Sequence, residues 1–161
     1  ILASSNSKVG RLRIKGESVS VDVNRHEFYG SEPEDIEKHL ETLWKRLGRK
    51  CGNLDTSNKR RVAEFLSYFL VSFFAIHPFN DGNGRTGRYF IRIVAKLIGY
   101  DTKPFPSSGK QRSKYISALR YAHKQRRKRG ELHTSHVRFL AEFYEKILIR
   151  SDDEYDQSEE L

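Results

Sequence analysis

Apolar residues recur at helical spacing through most of this chain, so the hydrophobic pattern predicts a largely helical fold. A capping box at residues 31–34, with proline near the first helical position, predicts where the first helix opens, and Gly48 predicts where it closes. The other helices are predicted at residues 57–75, 84–98, 110–129 and 135–150.

The second predicted helix has the composition of a central core helix. Residues 65–76 are apolar on nearly every face, which is typical of a helix surrounded by others. Pro78 prevents its continuation, because the residue before a proline avoids the α region. The third helix carries apolar residues at helical spacing, and we expect these to form its core face: Phe90, Ile93, Val94 and Leu97.

An alternation of apolar and polar residues over 11–23 predicts a short β-hairpin that turns at residues 15–18 and could extend to Phe28. Its apolar positions are Leu12, Ile14, Val19, Val21 and Val23. The elements together predict an all-α fold: a helical bundle around a central apolar helix, with one small hairpin near the N-terminus. We expect a single domain over residues 1–150, followed by an acidic tail at 151–161.

Composition narrows the cellular setting. The chain has 161 residues, and its single cysteine, Cys51, excludes an internal disulfide and a cysteine-based metal site. A lone thiol is consistent with a reducing compartment, and no uncharged apolar run is long enough to span a membrane. We therefore expect no membrane association and a cytoplasmic location, or delivery into another cell if the protein is an effector.

The formal net charge of +9 indicates an anionic partner: a nucleotide, a nucleic acid or an acidic protein surface. Its clearest concentration is the basic block at residues 124–129. Cations near a helix C-terminus complement the helix dipole, so a solvated helix end is the simpler interpretation. The block could instead belong to a nucleic-acid-binding module. That alternative is the more remote one, because no aromatic residues interleave with the cations.

The most informative stretch is residues 77–88, HPFNDGNGRTGR, in which a glycine-rich turn meets the start of a predicted helix. The junction falls at Gly82, Asn83 and Gly84. Unpaired N–H groups and the positive end of the helix dipole make such a junction an acceptor for phosphate. The glycines also let the backbone approach a ligand closely.

Charged and ionisable side chains flank this turn. Arg85 and Arg88 are three residues apart, so they project to one side of the helix, where guanidinium forks can bind phosphate oxygens in pairs. Asp81 is the only carboxylate of the stretch, and Mg²⁺ takes one or two carboxylates together with phosphate oxygens and water. His77 can accept a hydroxyl proton near neutral pH. The set predicts a triphosphate with its metal beside a general base.

The same stretch resembles the signature of Fic proteins, H-x-F-x-[DE]-G-N-G-R-x-x-R, with every specified position filled. The resemblance implies a Fic-type helical bundle that transfers AMP from ATP, with Mg²⁺, to a Ser, Thr or Tyr hydroxyl of a target protein. It implies that His77 activates this hydroxyl for attack on the α-phosphorus. Arg85 would hold the β-phosphate region and Arg88 the γ-phosphate. The hairpin region at residues 11–30 would be a flap that presents the target segment by strand addition.

Other activities stay open alongside AMP transfer: transfer of UMP, of phosphocholine or of the γ-phosphate, and removal of AMP from a modified target. An inactive nucleotide-binding scaffold is disfavoured by the intact His77. Many Fic proteins carry an inhibitory helix with the pattern [ST]-x-x-x-E-[GN], whose glutamate pairs with the second signature arginine, and this sequence contains no match. We expect that this element was removed, is supplied by a separate antitoxin-like protein, or has diverged.

Overall fold

A computed structural model describes residues 11–17, 20–22, 27–129 and 132–152, with only the backbone described at 20–22, 27–29 and 127–129. The helices are α1 (Ile36–Gly52), α2 (Lys59–Ile76), α3 (Asn83–Leu97), α4 (Gly109–Arg129) and α5 (Arg138–Ile147). The strands are β1 (Ser20–Asp22), β2 (Glu27–Tyr29), β3 (Tyr100–Thr102) and β4 (Leu148–Arg150). The largely helical fold is therefore confirmed. Within the described residues, no helix combines the length and the apolarity needed to cross a membrane.

The central helix of the bundle is α2, as its composition predicts. It contacts each of the other four helices named above. Asn58 caps its start by accepting a hydrogen bond from the Arg61 N–H at 3.2 Å. Its inward side chains, including Phe69, Leu70 and Phe73, are at most 1% exposed. This apolar helix positions the loop at residues 77–82, because that loop begins where α2 ends.

The core face of α3 differs in part from the predicted one: Val94 is buried and Phe90 packs against the core as predicted, whereas Ile93 and Leu97 do not. A Cβ at Gly87 would lie 2.8 Å from atoms of Leu70 and Phe74, so only glycine allows α3 to approach α2 this closely. That contact sets the rotation of α3 and turns Ile93 and Leu97 outward, with 39% and 80% of their surface exposed. The buried residues follow the face of Gly87: Ile91, Val94 and Ala95.

The boundaries of α1 also differ from the prediction. The helix follows a 3₁₀ turn at Pro33–Asp35 and has no side-chain cap. The capping box fails because the Ser31 hydroxyl pairs with Nδ1 of His39 at 2.7 Å instead. At its other end α1 continues through Gly48 to Gly52. An interior glycine costs about 1 kcal/mol relative to alanine, which weakens a helix without ending it.

The last helix is shorter than predicted because residues after it form a strand. A 3₁₀ turn at Thr134–Val137 leads into α5, which ends at Ile147. β4 then pairs antiparallel with β3, with Tyr100 opposite Arg150. The prediction of a helix to residue 150 is wrong because local periodicity carries no information about a partner strand so distant in the chain.

The N-terminal hairpin exists, but it lies further along the chain than predicted. β1 and β2 pair antiparallel, with Ser20 opposite Tyr29 and Val21 opposite Phe28. Residues 14–17 form a separate turn, closed by a 2.9 Å bond from the Glu17 N–H to the Ile14 carbonyl. Parts of the predictions lie outside the described residues, among them residues 1–10, residue 18 of the predicted turn, Val19, Val23 and the tail from residue 153.

Candidate active site

His77 ends α2 in a left-handed backbone conformation, with φ 50° and ψ 60°. Its N–H still donates to the Phe73 carbonyl at 3.1 Å, so the last helical turn is closed. It is the one residue other than glycine with a positive φ in the part of the chain that the structure describes. Such conformations are uncommon and persist where the surroundings hold them, often at functional sites. Here the reversal ends the helix and leads the chain into the Pro78 turn.

The buried guanidinium of Arg13 supplies those surroundings. Arg13 is 4% exposed, and its Nε donates to the His77 carbonyl at 2.7 Å. Its terminal nitrogens donate to the carbonyls of Ser31 at 2.6 Å, Ile76 at 3.2 Å and Glu17 at 3.1 Å. One cation therefore satisfies carbonyls at the C-terminus of α2 and fixes the turn that carries the histidine. The sequence offered no signal for this role, because a lone arginine in an alternating segment looks like a surface residue.

The environment of His77 keeps its imidazole neutral. Burial lowers the pKa of His77 to about 4, and the positive charge of Arg13 acts in the same direction. A neutral imidazole is the form that accepts a proton. Space around the pair is tight, since a Cβ at Gly30 would lie 2.6 Å from an Arg13 nitrogen and 3.0 Å from Cβ of His77. Gly30 is thus part of the packing behind the histidine.

Asn83 closes the loop between α2 and α3. Its Oδ1 accepts a hydrogen bond from the Phe79 N–H at 3.0 Å, and its Nδ2 donates to the Phe79 carbonyl at 2.6 Å. The side chain is buried, with only 4% of the residue exposed. Its carboxamide is thereby committed to the loop, so any contact of Asn83 with a phosphate would come from its backbone N–H. Gly82 precedes α3 with φ 88°, a conformation that suits glycine.

Asp81 and Arg85 face each other across the first turn of α3. Arg85 donates to Oδ2 of Asp81 at 2.9 Å, and the Gly82 N–H donates to Oδ1 at 2.6 Å. The Asp81 side chain is 72% exposed, so its carboxylate is open to a ligand. Within the described residues, no group of three or more His, Cys, Asp or Glu side chains could hold a metal ion. One accessible carboxylate fits Mg²⁺ that arrives with phosphate ligands of its own.

Arg88 lies against an aromatic wall formed by Phe105, with Tyr115 near it. A Cβ at Gly84 would be 3.2 Å from an Arg88 nitrogen, so the guanidinium lies beside the helix start. Its carbon stands 5.1 Å from the centroid of the Phe105 ring. Tyr115 lies close to the same guanidinium. Burial raises the pKa of Tyr115 to about 12, while the charge of Arg88 acts in the opposite direction. This wall orients Arg88, and no motif in the sequence pointed to it.

Both flanks of the hairpin attach to the His77 turn. On one side the Arg13 N–H donates to the Pro78 carbonyl at 2.9 Å, and Leu12 forms a β-bridge with Phe79. On the other side the Ser31 N–H donates to the Ile76 carbonyl at 2.9 Å. The hairpin therefore emerges directly beside the histidine.

The carboxylate of Glu17 closes the short turn in the first of these flanks. It accepts hydrogen bonds from the Arg11 guanidinium at 2.7 and 3.0 Å and from the Ile14 N–H at 3.0 Å. These bonds, with one from the Asn80 side chain, lower the pKa of Glu17 to about 2. Since Asn80 belongs to the loop after His77, this carboxylate also ties the flank to the candidate site.

The structure gathers every predicted site residue on one loop and the first turns of α3. His77 stands at one end of the loop. The residues predicted to bind metal and phosphate follow it in order: Asp81, Gly82, Asn83, Gly84, Arg85 and Arg88. Their neighbours Arg13, Gly30, Phe105 and Tyr115 come from other parts of the chain and could be found only in three dimensions.

Comparison with known proteins adds independent observations. The model of the Fic/DOC family matches residues 3–95. The probable protein adenylyltransferase y4lH of Sinorhizobium fredii is 31% identical over 86 residues, which cover 53% of this chain and 45% of that protein. A Fido domain-containing protein of Dictyostelium discoideum is 33% identical over 134 residues, which cover 79% of this chain and 87% of that protein.

Among solved structures, the BepC protein of Bartonella tribocorum with bound AMPPNP has a similar fold. Its TM-score is 0.62 at 21% sequence identity, and the match covers 89% of this chain and 66% of that chain. A likeness at this level of identity concerns the fold alone. The chain spans less than half the length of y4lH, of which 45% is covered.

Proposed function

This chain belongs to the Fic/DOC family, and from that premise we propose that it is a protein adenylyltransferase, which moves AMP from ATP to a hydroxyl of a target protein. One observation carries the proposal: the neutral His77 and the glycine-rich start of α3 stand at the two ends of one short loop. A base beside a phosphate-binding helix start suits attack on phosphorus. The name of the relative y4lH supports the same class of reaction.

In the proposed reaction His77 accepts the proton of the target hydroxyl while the hydroxyl oxygen forms a bond to the α-phosphorus. The bond from that phosphorus to the oxygen bridging to the β-phosphate breaks, and pyrophosphate leaves. A pKa of about 4 keeps the imidazole unprotonated at neutral pH. The proton it takes up is then returned readily to solvent, which restores the base for the next turnover.

The phosphates would be held by the start of α3. The backbone N–H groups of Asn83 and Gly84 would face the phosphates, Gly82 would let the backbone approach them closely, and the helix dipole adds positive charge there. Arg85 and Arg88 would pair with the β- and γ-phosphate oxygens, with Arg88 held in place by the Phe105 ring. Asp81 would hold Mg²⁺, and the bound ion would neutralise part of the negative charge of the phosphates. Asn83 keeps the loop closed, so that these donors are organised before the ligand arrives.

The target segment would bind beside the β1–β2 hairpin, whose flanks are anchored on the His77 turn. A strand added to an edge of the hairpin would present its hydroxyl to the base, with main-chain hydrogen bonds giving affinity. A separate inhibitory protein would act at Arg88, since a carboxylate placed there would compete with the γ-phosphate for the guanidinium.

The proposal is tested with Mg²⁺ and ATP labelled at the α- or the γ-phosphate, incubated with the protein in a cell lysate. We expect protein-bound label from the α position only. His77→Ala should abolish labelling while its ATP affinity, measured by calorimetry, stays within about twofold. Lys38→Ala, which alters an exposed residue of α1, is the control and should leave the labelling and the ATP affinity unchanged. Label from the γ position alone would show a phosphotransferase and refute AMP transfer.

A further inference from the structure

A second concave site lies between the C-terminal half of α1 and the N-terminal half of α2. We call it the basic cleft. It has a volume of about 630 Å³ and is lined by four cations, Arg46, Arg49 and Lys50 from α1 and Arg61 from α2. Glu64 is the one carboxylate in its lining, and it already pairs with Arg60 at 3.2 Å. The cleft is therefore strongly positive.

The positive charge in the first turn of α2 is not what a helix N-terminus favours. The first turn of α2 holds Lys59, Arg60 and Arg61 and has no acidic residue, although the helix dipole disfavours cations at this end. Arg60 is compensated by Glu64 and by Glu145 at 3.1 Å. Arg61 is compensated only loosely: its side chain is 67% exposed, its ion pair with Glu64 is a 3.6 Å contact, and it is also attracted to the carboxylate of Asp55. A bound anion would offset this unfavourable arrangement.

An aromatic residue lines the same cleft, and a cation from α4 lies near it. Nζ of Lys50 stands 4.8 Å from the centroid of the Tyr68 ring, so the lysine lies over the ring at the cleft wall. From α4, Arg126 lies near the same tyrosine without lining the cleft, and burial lowers the pKa of this arginine.

The basic cleft is separate from the His77 site. Both lie along α2, but at different positions on its axis. At a rise of about 1.5 Å per residue, Tyr68 is roughly 13 Å from His77 along the axis, and Arg61 is roughly 24 Å away. A ligand of nucleotide size held at the N-terminal half of α2 would not contact the catalytic loop. The inference below therefore does not rest on the proposed function.

We propose that the basic cleft binds a small ligand that carries two or more adjacent phosphate groups, such as a nucleoside polyphosphate or inorganic polyphosphate. Four cations against one paired carboxylate exceed the charge of a single phosphate. Three of the four are arginines, whose forks match phosphate oxygens. A volume of about 630 Å³ falls within the range of small-ligand pockets. Asn53 and Thr134 at the same cleft add neutral hydrogen-bonding groups.

The test is a titration of the ¹⁵N-labelled protein with inorganic tripolyphosphate, without Mg²⁺, followed by amide chemical shifts. This measurement separates the two sites by residue. We expect saturable shifts at residues 49–54 and 61–68, whatever happens at residues 82–88. Inorganic monophosphate should bind the cleft at least about tenfold more weakly, because it can engage fewer of the cations.

Variants assign the effect to named side chains. Arg61→Gln and Arg49→Gln should each weaken cleft binding by about tenfold, which corresponds to about 1.4 kcal/mol. Lys38→Gln removes an exposed cation near the other end of α1, and its binding should stay within about twofold of the unaltered protein. Equal weakening by all three changes would show a general charge effect and overturn the site.

Three other outcomes would also overturn the proposal. The first is the absence of amide shifts at residues 49–54 and 61–68 with 10 mM tripolyphosphate. This concentration is about a hundredfold above a Kd of about 0.1 mM, which would be a modest affinity. The second is affinity for a single-stranded oligonucleotide that rises steadily with its length, which would indicate nucleic acid as the ligand. The third is tighter binding of an oligoglutamate peptide than of tripolyphosphate, which would indicate an acidic protein segment.

Discussion

At the residue scale, Arg13 connects the fold to the chemistry. A single buried guanidinium bonds four main-chain carbonyls, among them those of His77, Ile76 and Ser31. These carbonyls belong to the end of α2 and to both flanks of the hairpin. The position of the candidate base and the attachment of the hairpin thus depend on one side chain, whose charge also adds to burial in keeping the base neutral. The motif at 77–88 predicts the reacting groups, but this support lies outside it.

Replacing Arg13 with Gln should therefore affect stability and chemistry together. The buried carbonyls lose their donor, so we expect a loss of about 2–3 kcal/mol in the free energy of unfolding. Loss of the positive charge should raise the pKa of His77 from about 4 toward its ordinary value. Urea denaturation measures the first effect, and the imidazole NMR titration measures the second. Lys15→Gln, an exposed neighbour, should change neither. An unchanged His77 titration would contradict the electrostatic role of Arg13.

The lowered pKa of His77 also predicts how stability depends on pH. The folded-state pKa is about 4 and the ordinary value is 6.5, so between these the unfolded chain binds a proton that the folded chain does not. Stability from this group is present above pH 6.5 and is lost as pH falls toward 4. From pH 7 to pH 5, the unaltered protein should lose about 2 kcal/mol more than His77→Gln. Equal losses in urea denaturation at the two pH values would show that His77 is not desolvated.

At the element scale, periodicity predicted the positions of the helices well, but it predicted helix rotation and strand pairing poorly. The buried α2 was recognisable because its apolar residues occupy every face. On α3, Ile93 and Leu97 were wrongly assigned to the core because the contact of Gly87 with Leu70, which rotates the helix, is tertiary. The pairing of β3 with β4 was missed for the same reason, as was the shift of the hairpin to residues 20–29. Local sequence specifies element type, whereas rotation and pairing are decided by distant contacts.

Two glycines in different helices provide a matched test of this distinction. Gly48 lies inside α1, and a Cβ there would meet nothing within 4 Å. Gly48→Ala should therefore raise the free energy of unfolding by about 0.5–1 kcal/mol, because alanine has less backbone freedom to lose. Gly87→Ala places a Cβ 2.8 Å from Leu70 and Phe74, and should lower it by about 1–3 kcal/mol. Urea denaturation distinguishes them, and effects of the same sign would contradict the packing described for α3.

At the scale of the whole molecule, α2 places two positively charged sites at different points along one buried helix. The loop after its C-terminus holds the candidate catalytic groups, and its N-terminal half lines the basic cleft. The motif predicted the first of these. The second could not be read from the sequence, because its cations come from α1 and α2 and appear there as ordinary surface charge.

Nucleotide binding at the catalytic loop should be visible as stabilisation of the whole domain. In an Arg49→Gln/Arg61→Gln background, which removes the cleft, Mg²⁺-ATP at about a hundred times its Kd should add about 2.7 kcal/mol to the free energy of unfolding. For a domain of this size that corresponds to a rise of about 5–10 °C in Tm. The rise should persist in His77→Ala, because the base acts on the target hydroxyl and not on the phosphates.

Arg88→Gln should remove most of this rise, while Arg92→Gln, an exposed arginine one turn further along α3, should leave it intact. The comparison uses the ligand-induced shift in Tm, so any loss of stability from the substitution itself cancels. A full shift in Arg88→Gln would mean that the guanidinium held against Phe105 does not contact the nucleotide. Loss of the ligand-induced rise in Tm in His77→Ala would instead show that the histidine contacts the nucleotide. A different residue would then have to act as the base.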